Sequence, residues 1–332
     1  MKALILSDQT ASKIQIVEVA KPTLTSNQVL LRIKAASLNR RDQWMREDKY
    51  PGIKYGVIMG SDACGVIEEV GNESLKNWIG KEVIINPNIN WGDDLRVQAK
   101  QYSILGMPSN GTLTEYIAVS PDRLHEKPQH LTVEQASALP LGGLTAYRAV
   151  FTQGKVKKGD KVLISGVGGG VNQFAFQFAL AAGAEVYATS GDDLKLQKSV
   201  KYGAKAVFNY KNPDWMKEAQ QKAGGFDVVI DSAGGDQINT FVKLMRPAGR
   251  IVFFGATNGV PKTLDLHRMF WNQITLQGST MGNDQEFAEM VQFVSKHKIV
   301  PIIDSLAPLE MAESAFNKMR DGRQFGKLVL VI

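Results

Sequence analysis

Apolar and polar residues alternate in two different ways along this chain. Up to about residue 123, short apolar segments lie between Gly, Pro, Asn and Asp residues, which predicts β-strands joined by turns. The predicted strands in this part are Met1–Leu6, Ile14–Val19, Val29–Ala35, Gly65–Val70 and Glu82–Ile85. The segment that follows, to Ser109, is polar and irregular, which indicates a long loop or lobe.

From Thr132 onward, apolar strands and amphipathic helices alternate strictly. The predicted strands are Lys161–Ser165, Ala184–Ser190, Ala206–Tyr210, Phe226–Ser232 and Gly249–Ala256. The predicted helices between them include Leu194–Tyr202, Pro213–Ala223 and Gln237–Met245. Strands that alternate with helices predict a parallel, doubly wound sheet of an α/β protein, and the right-handed crossover rule leaves few topologies for it.

The end of the chain returns to the earlier pattern. A helix is predicted at Asp284–Lys296, followed by a second helix and a terminal strand. A length of 332 residues suits two domains better than one. If the last strand joins an earlier sheet, residues 124–282 form one domain that is inserted into another, made of residues 1–123 and 283–332.

Composition narrows the classes of protein. The net charge of +6 is scattered, without a basic block, so nucleic-acid binding is not indicated. No segment reaches the roughly 18 apolar residues of a membrane span, and the N-terminus lacks a signal peptide pattern, so we expect a cytoplasmic location. The single cysteine, Cys64, excludes an internal disulfide and a cysteine-rich zinc site. We expect it to be a small buried hydrophobic residue.

A glycine run lies between a predicted strand and a predicted helix. Gly166 and Gly168–Gly170 stand there, where glycines let backbone N–H groups approach a pyrophosphate at a helix N-terminus. The strand–turn–helix context makes dinucleotide binding the better interpretation of this motif. The usual third glycine is missing, because it falls on Val171 or Asn172 depending on the register.

The end of the next predicted strand bears on the choice of cofactor. An NAD-selective site carries an acidic residue there, about 20 residues after the glycines. This chain has Thr189, Ser190 and Gly191, with Lys195 one helical turn further on. Asp192 and Asp193 come slightly late and suit a cap of the next helix. Hydroxyls and a cation suit a 2′-phosphate, so the sequence favours NADPH.

Several segments together resemble one known family. Gly60–Gly71, Ser37–Trp44, Leu139–Ala149, Phe226–Gly235 and the glycine run resemble successive blocks of the medium-chain dehydrogenase/reductase superfamily. They are most similar to its quinone-oxidoreductase and zeta-crystallin-like branch, over nearly the whole chain. The resemblance implies a Rossmann domain inserted into a mainly β, GroES-like domain. It also implies a homodimer, with Trp271–Thr280 as a candidate edge for sheet pairing between subunits.

The resemblance implies that the zinc of the alcohol-dehydrogenase relatives has been lost. The zinc-binding His falls on Ser61, the first cysteine ligand on Asn39, and the third ligand near Leu141. Without a Lewis acid, the simplest reaction is hydride transfer to a quinone or another conjugated carbonyl, whose oxygen takes up the charge. An alkenal, enone or enoyl-thioester reductase and a non-catalytic NADPH-binding protein remain alternatives.

The same resemblance supplies the candidate site residues. It implies that Asn39 lies near the nicotinamide, that Tyr50 is a donor in the substrate pocket, and that Trp44 is an aromatic residue of the cleft; packing or surface roles are the alternatives for Trp44 and Tyr50. Three arginines nearby are interpreted as a solvated basic face: Arg40, Arg41 and Arg46. The implied cofactor-binding residues are Thr145, Gly168, Gly169, Gly170, Val171, Ser190, Lys195, Tyr210, Ser232, Ala233, Gly255 and Ala256.

Overall fold

A computed structural model describes all 332 residues of the chain. Its strands are β1 Lys2–Leu6, β2 Ile14–Glu18, β3 Val29–Ser37, β4 Asp62–Val70, β5 Glu82–Ile85, β6 Asn88–Ile89, β7 Ser103–Ile104, β8 Tyr116–Val119, β9 Leu124–Glu126, β10 Lys161–Ile164, β11 Glu185–Ser190, β12 Ala206–Asn209, β13 Phe226–Asp231, β14 Met245–Phe253, β15 Thr275–Gly278, β16 Ile303–Pro308 and β17 Lys327–Val331.

Ten α-helices accompany these strands, and none is both long and apolar enough to cross a membrane. They are α1 Arg40–Arg46, α2 Val133–Ser137, α3 Pro140–Tyr147, α4 Gly170–Ala181, α5 Asp193–Lys201, α6 Trp215–Ala223, α7 Gln237–Leu244, α8 Leu266–Trp271, α9 Asp284–His297 and α10 Ala312–Arg320. A π-helical stretch, Arg148–Gln153, continues α3. The chain forms two compact units, Met1–Gly142 with Gly282–Ile332, and Gly143–Met281.

The first unit is mainly β. Its largest sheet has the order β16-β17-β3-β4-β5-β9, with β8 also paired to β3, and every pair is antiparallel except β16–β17. Strand β3 is buried at every position except Arg32 and Lys34, and β17 is buried up to its last residue, so these central strands lack the alternation of a sheet with one solvated face. Leu31, Ile33 and Leu330 are buried in its core together with Phe316 of α10.

The second unit is a six-stranded parallel sheet of order β12-β11-β10-β13-β14-β15. Counted along the chain from β10, this order is 3-2-1-4-5-6, the arrangement of the Rossmann fold. The chain reverses direction across the sheet between β10 and β13, and ligands of such sheets bind at the carboxyl ends of the strands at that point. The α/β fold class predicted from the sequence is therefore correct.

The boundary between the units differs from the predicted position at residue 124. Leu124–Glu126 forms β9, whose residues pair antiparallel with Ile85–Val83 of β5. Helix α2 then contacts β3 and β4. Residues 124–142 therefore belong to the mainly β unit. The change from strand-rich to helix-rich sequence at Thr132 precedes the change of unit, because α2 covers the β-sheet of the first unit.

Candidate functional site

The glycine run forms the turn between β10 and α4 in the second unit. Gly166 has φ +64°, a left-handed conformation that glycine adopts without strain. Its N–H donates to the Thr189 hydroxyl, and Gly169 precedes the first residue of α4. The amides of Gly170 and Val171 are in the first helical turn, where N–H groups lack partners within the helix. This turn therefore offers anion-binding donors at a helix N-terminus.

Asn172, one of the two residues on which the missing third glycine falls, closes the turn. Its Nδ2 lies 2.6 Å from the Ser165 carbonyl oxygen, 3.0 Å from that of Gly166 and 2.9 Å from the Ser232 hydroxyl. The side chain is buried, and its Oδ1 has no protein partner. The turn accommodates this side chain because the Asn172 amide hydrogen-bonds the carbonyl groups of the turn and the Ser232 hydroxyl.

The next strand end on the same side is shaped by a buried carboxylate. Asp231 Oδ2 accepts the N–H groups of Ala233 and Gly234, and burial raises the pKa of Asp231. On the neighbouring strand end, a Cβ at Gly255 would lie 2.5 Å from the Ser232 carbonyl oxygen. The predicted residues Ser232, Ala233, Gly255 and Ala256 therefore follow two adjacent strands at their carboxyl ends, and Gly255 is required by close backbone packing.

The predicted 2′-phosphate residues gather at the end of β11. The Ser190 carbonyl oxygen accepts the Tyr210 N–H, and a Cβ at Gly191 would lie 2.8 Å from both the Tyr210 ring and the Lys211 side chain. Asp192 accepts the N–H groups of Leu194 and Lys195, so it caps α5 as expected. Lys211 is a second cation at this end, which sequence reasoning missed although it directly follows Tyr210.

Lys195 and Thr145 complete the predicted cofactor residues. Lys195 lies in the first turn of α5, three residues after the cap, and it is partly exposed. Thr145 lies on α3 and is buried. The two residues therefore belong to the same unit as the glycine turn, on helices that precede β10 and follow β11.

A second polar cluster lies in the mainly β unit and is centred on Asp62, at the start of β4. Its Oδ2 accepts Ser37 Oγ at 3.0 Å, Asn39 Nδ2 at 2.9 Å and Lys327 Nζ at 3.0 Å. Lys327 Nζ also donates to Asn39 Oδ1 at 2.7 Å. The side chains of Lys327 and Asp62 are 2% and 0% exposed, so this is a buried ion pair whose members are also hydrogen-bonded to Asn39.

The cluster includes the residues that stand at the zinc-ligand positions. Leu141 donates its backbone N–H to Asp62 Oδ1 at 2.8 Å, and Asn39 is turned towards the ion pair. No group of three or more His, Cys, Asp or Glu side chains is placed to hold a metal ion. The donor set around Asn39, Ser61 and Leu141 does not fit the Cys and His ligands that zinc prefers.

The Arg41 guanidinium is fixed beside this cluster. Nη1 donates to Ser61 Oγ at 2.7 Å and to the Leu105 carbonyl oxygen at 2.9 Å. Nε and Nη2 donate to the Tyr50 hydroxyl at 3.2 and 3.1 Å. Arg41 is 7% exposed, and Arg46 donates to the Ser12 carbonyl and to Asn317 with its side chain 9% exposed. The interpretation of these arginines as a solvated basic face is therefore wrong for Arg41 and Arg46.

Asp42 is a further buried carboxylate in this cluster. Its Oδ2 accepts the Asn39 N–H at 2.8 Å, whereas Oδ1 has no protein partner. Burial raises the pKa of Asp42 to about 6, against the attraction of Arg41. The remaining predicted residue, Trp44, is partly exposed on α1.

Sequence reasoning missed the charged residues that organise this cluster. Asp62 directly follows Ser61, the position of the zinc-binding His, and no local pattern marks it as the partner of a distant lysine. Lys327 lies 265 residues away in the last strand. Its only signal was a lysine at the beginning of an apolar C-terminal segment, and β17 brings it beside β3.

The turn and the strand ends of the second unit define a class of protein, an α/β protein with a dinucleotide-binding site of the Rossmann type. Comparison with known families makes this specific: the alcohol dehydrogenase GroES-like domain matches residues 25–129, and the zinc-binding dehydrogenase family matches residues 170–296. A zinc-type alcohol dehydrogenase-like protein, YogA, of Leptosphaeria maculans is 34% identical, over 96% of this chain and 94% of its own length. The chain belongs to the medium-chain dehydrogenase/reductase superfamily.

Two further relatives show how varied this similarity is. The quinone oxidoreductase of Mus musculus is 27% identical, over 95% of this chain and 92% of its own length. The crystal structure of an NAD-dependent alcohol dehydrogenase is 33% identical, with a TM-score of 0.93 and both chains covered completely. The Rossmann and GroES-like folds predicted from the resemblance are confirmed, and so is the oxidoreductase class.

Proposed function

We propose that this protein is an NADPH-dependent reductase of quinones or other conjugated carbonyl compounds that works without zinc. The observation that carries the proposal is the set of contacts at the zinc-ligand positions. Ser61 Oγ is bonded to the Arg41 guanidinium, Asn39 to the Lys327 ammonium, and the Leu141 amide to Asp62. At each of the three positions the residue already makes a hydrogen bond, and that bond would have to break if the residue took part in binding a metal ion.

The chemistry of such a site follows from its donors. A nicotinamide cofactor, when bound, supplies the hydride. A simple ketone needs strong polarisation of its oxygen, whereas a quinone or enone spreads the incoming charge along its conjugated system. Fixed hydrogen-bond donors such as Tyr50 suffice to stabilise an oxygen that gains charge in this way. Asn39 and Trp44 complete the proposed catalytic residues, with Asn39 held by its bonds to Asp62 and Lys327.

NADPH is proposed over NADH because of the groups at the end of β11. The end of β11 provides hydroxyls and cations from Ser190, Lys195, Tyr210 and Lys211. The first carboxylate after this strand, Asp192, is engaged in capping α5. One structural relative is an NAD-dependent alcohol dehydrogenase, so the choice of NADPH depends on residues of this chain alone. The glycine turn, Thr145 and the β13 and β14 ends are the proposed binding residues for the rest of the cofactor.

A homodimer is proposed from the edge of the parallel sheet. Strand β15 ends the sheet order, so its outer side is unpaired within the chain. The helix before it exposes Phe270 at 66% and Trp271 at 74%, and large exposed apolar side chains next to an open strand edge favour association. A mass equal to one chain by light scattering would contradict this proposal. The cytoplasmic location stays a prediction.

The first experiment is a titration of the protein with NADPH and with NADH, followed by an acceptor panel. The panel contains a quinone, an enal, an enone, an enoyl thioester and a simple alcohol with the oxidised cofactor, all with a chelator present. We expect tighter binding of NADPH and its oxidation by the quinone or the enone despite the chelator. Preference for the quinone would identify a quinone oxidoreductase, and preference for the enal, enone or thioester over the quinone would select the alkenal, enone or enoyl-thioester reductase alternative.

Two outcomes would overturn the proposal. Activity on the alcohol alone, abolished by the chelator, would mean that the residues at positions 39, 61 and 141 had been misinterpreted. Tight NADPH binding without turnover of any acceptor would favour a non-catalytic NADPH-binding protein. As an internal check, Ser61→Ala should keep chelator-resistant activity, because its hydroxyl binds no metal in this proposal.

A further inference from the structure

A cleft lies at the amino ends of strands β13 and β14, in the unit that holds the parallel sheet. It encloses about 470 Å³, and its walls are the end of α6 with Gly224 and Gly225, residues 243–247, and Arg268 and Asn272 of α8 and its cap. Gly225 directly precedes β13, whereas the glycine turn follows the carboxyl end of β10. Because these strands are parallel, the cleft and the glycine turn lie at opposite edges of the sheet.

Four cations line this cleft, and no carboxylate does. They are Lys217, Lys243, Arg246 and Arg268. Only Arg246 has an acidic partner, because its Nη1 lies 3.1 Å from Asp227 Oδ2. Arg268 Nη2 donates to the Lys243 carbonyl oxygen, and the ammonium groups of Lys217 and Lys243 have no hydrogen-bond or ion-pair partner in the protein. The cleft therefore holds cations whose charge no neighbouring side chain neutralises.

The helix ends around the cleft account for part of this charge but not for all of it. Helices α6, α7 and α8 end here, and each C-terminus carries about half a negative charge. Together with Asp227, these ends offset about 2.5 of the four positive charges, so about 1.5 remain. The whole unit has the same excess, with 17 Lys and Arg against 10 Asp and Glu in residues 143–281. The cleft therefore attracts anions.

We propose that this cleft binds a phosphorylated organic molecule with more than one negative charge. Lysine and arginine are the side chains that recognise phosphate oxygens, and here they extend from three separate elements, so one ligand contacts several of them. Met216 and Pro247 add apolar walls for the organic part of the ligand, and the volume of about 470 Å³ suits a molecule of nucleotide size. This site is separate from the cofactor site and does not depend on the proposed reductase function.

The test is a calorimetric titration of the full-length protein with inorganic pyrophosphate, in low salt and with NADP⁺ present to occupy the phosphate-binding groups of the cofactor site. We expect one pyrophosphate to bind per chain, with an affinity that falls as salt is added. The double variant Lys217→Ala/Lys243→Ala should bind it roughly tenfold more weakly, because two charge-assisted contacts are lost. The matched control, Lys201→Ala/Lys222→Ala, removes the same charge from exposed helix positions outside the cleft and should bind as the wild type does.

Several outcomes would overturn the proposal. One is the absence of pyrophosphate binding in low salt, and another is equal weakening in the two double variants, which would mean diffuse attraction of anions to a positively charged unit. Loss of NADP⁺ binding in Lys217→Ala/Lys243→Ala would mean that the pyrophosphate had been measured in the cofactor site.

A second titration tests the organic part of the ligand. Phenyl phosphate should bind more tightly than inorganic phosphate, because its ring contacts the apolar walls; equal affinities would overturn the assignment of an organic ligand. All four substituted lysines are exposed, so both double variants should fold, and their comparison does not require that the protein reduce any acceptor.

Discussion

The glycine turn and the Asp62 cluster are both polar sites built on strand ends, but they are assembled in opposite ways. The turn is made by residues 165–172 with Ser232, so most of its bonds join neighbours along the chain. The Asp62 cluster joins β3, α1, β4 and β17, and its ion pair spans 265 residues. The turn depends on backbone conformation, whereas the cluster depends on charges brought together by the complete sheet.

This difference decides what each site needs from the rest of the protein. The turn presents uncharged N–H groups, and its geometry follows from glycine φ values and the bonds of Asn172. The cluster buries two cations and two carboxylates, Arg41, Lys327, Asp42 and Asp62. Buried charges stabilise a fold only when each is paired and hydrogen-bonded. We therefore expect single changes in the cluster to have the larger effects.

The largest effect is expected for Lys327→Met. The variant leaves Asp62 charged and buried, with its partner gone, so we expect a loss of about 3–5 kcal/mol in the free energy of unfolding. Urea denaturation at pH 7.5 measures it. Lys2→Met, which removes the exposed pair with Glu310, is the matched control and should change much less. Equal losses in both variants would show that the cluster adds nothing beyond an ordinary surface pair.

The fold and the glycine turn follow from the sequence because their signals are local. Strand β5 and helix α7 lie within one residue of their predicted bounds, since apolar periodicity and turn residues fix them. The Lys327–Asp62 pair gives no such signal. A lysine in an apolar strand looks the same whether it is solvated or buried, and only the β17–β3 pairing decides which. Arg41 was misinterpreted for the same reason, because its partners Ser61 and Leu105 are distant in sequence.

The next effect concerns Asp42 and depends on pH. Its pKa is about 6 in the folded protein against 3.8 for an ordinary Asp, so between these values the folded protein holds a proton that the unfolded chain releases. The contribution of Asp42 to the free energy of unfolding therefore falls as pH rises from about 4 to 6, and it stays low at higher pH. The charged groups around it, Arg41, Asp62 and Lys327, act on its titration as well.

Asp42→Asn should remove this dependence while its side-chain oxygen still accepts the Asn39 N–H. Relative to the wild type, we expect the variant to gain up to about 3 kcal/mol between pH 4 and pH 7. Urea denaturation of both proteins at a series of pH values measures the difference. Asp48→Asn, on the exposed end of the same segment, is the control for removing one acid. A constant difference across the series would contradict the raised pKa.

Asn172→Ala tests the glycine turn between β10 and α4. The variant loses the bonds to Ser165, Gly166 and Ser232, so we expect a loss of about 1–3 kcal/mol in unfolding free energy and weaker NADPH binding. Gln177→Ala, on the same helix, removes an amide that bonds only Gln173 and should leave NADPH affinity unchanged. If Asn172→Ala binds NADPH as tightly as the wild type, the turn holds its conformation through its glycines alone.

Lys211→Ala tests the preference for NADPH over NADH at the carboxyl end of β11. Lys211 lies beside Tyr210 over Gly191, where a charge-assisted bond to a 2′-phosphate is worth about 1.5 kcal/mol. We expect NADPH to bind about tenfold more weakly and NADH to bind as before. Fluorescence titration with both cofactors gives the ratio, and Lys201→Ala, an exposed lysine at the end of α5, is the control. If Lys211→Ala weakened the binding of NADPH and of NADH by the same factor, its effect would not depend on the 2′-phosphate.

The smallest expected effect is a change in the rate at which a thiol reagent labels Cys64. This rate reports opening of the unit that contains the Asp62 cluster. Cys64 lies on β4 two residues after Asp62, fully buried, and burial raises the pKa of its thiol to about 12, so it stays protonated and unreactive in the folded protein. A thiol reagent should modify it only when β4 opens. Lys327→Met should speed this labelling, and Asn172→Ala, in the other unit, should leave it close to the wild-type rate. If both variants labelled equally fast, the two units would open as one, and the distinction between a local and a long-range site would not extend to their stability.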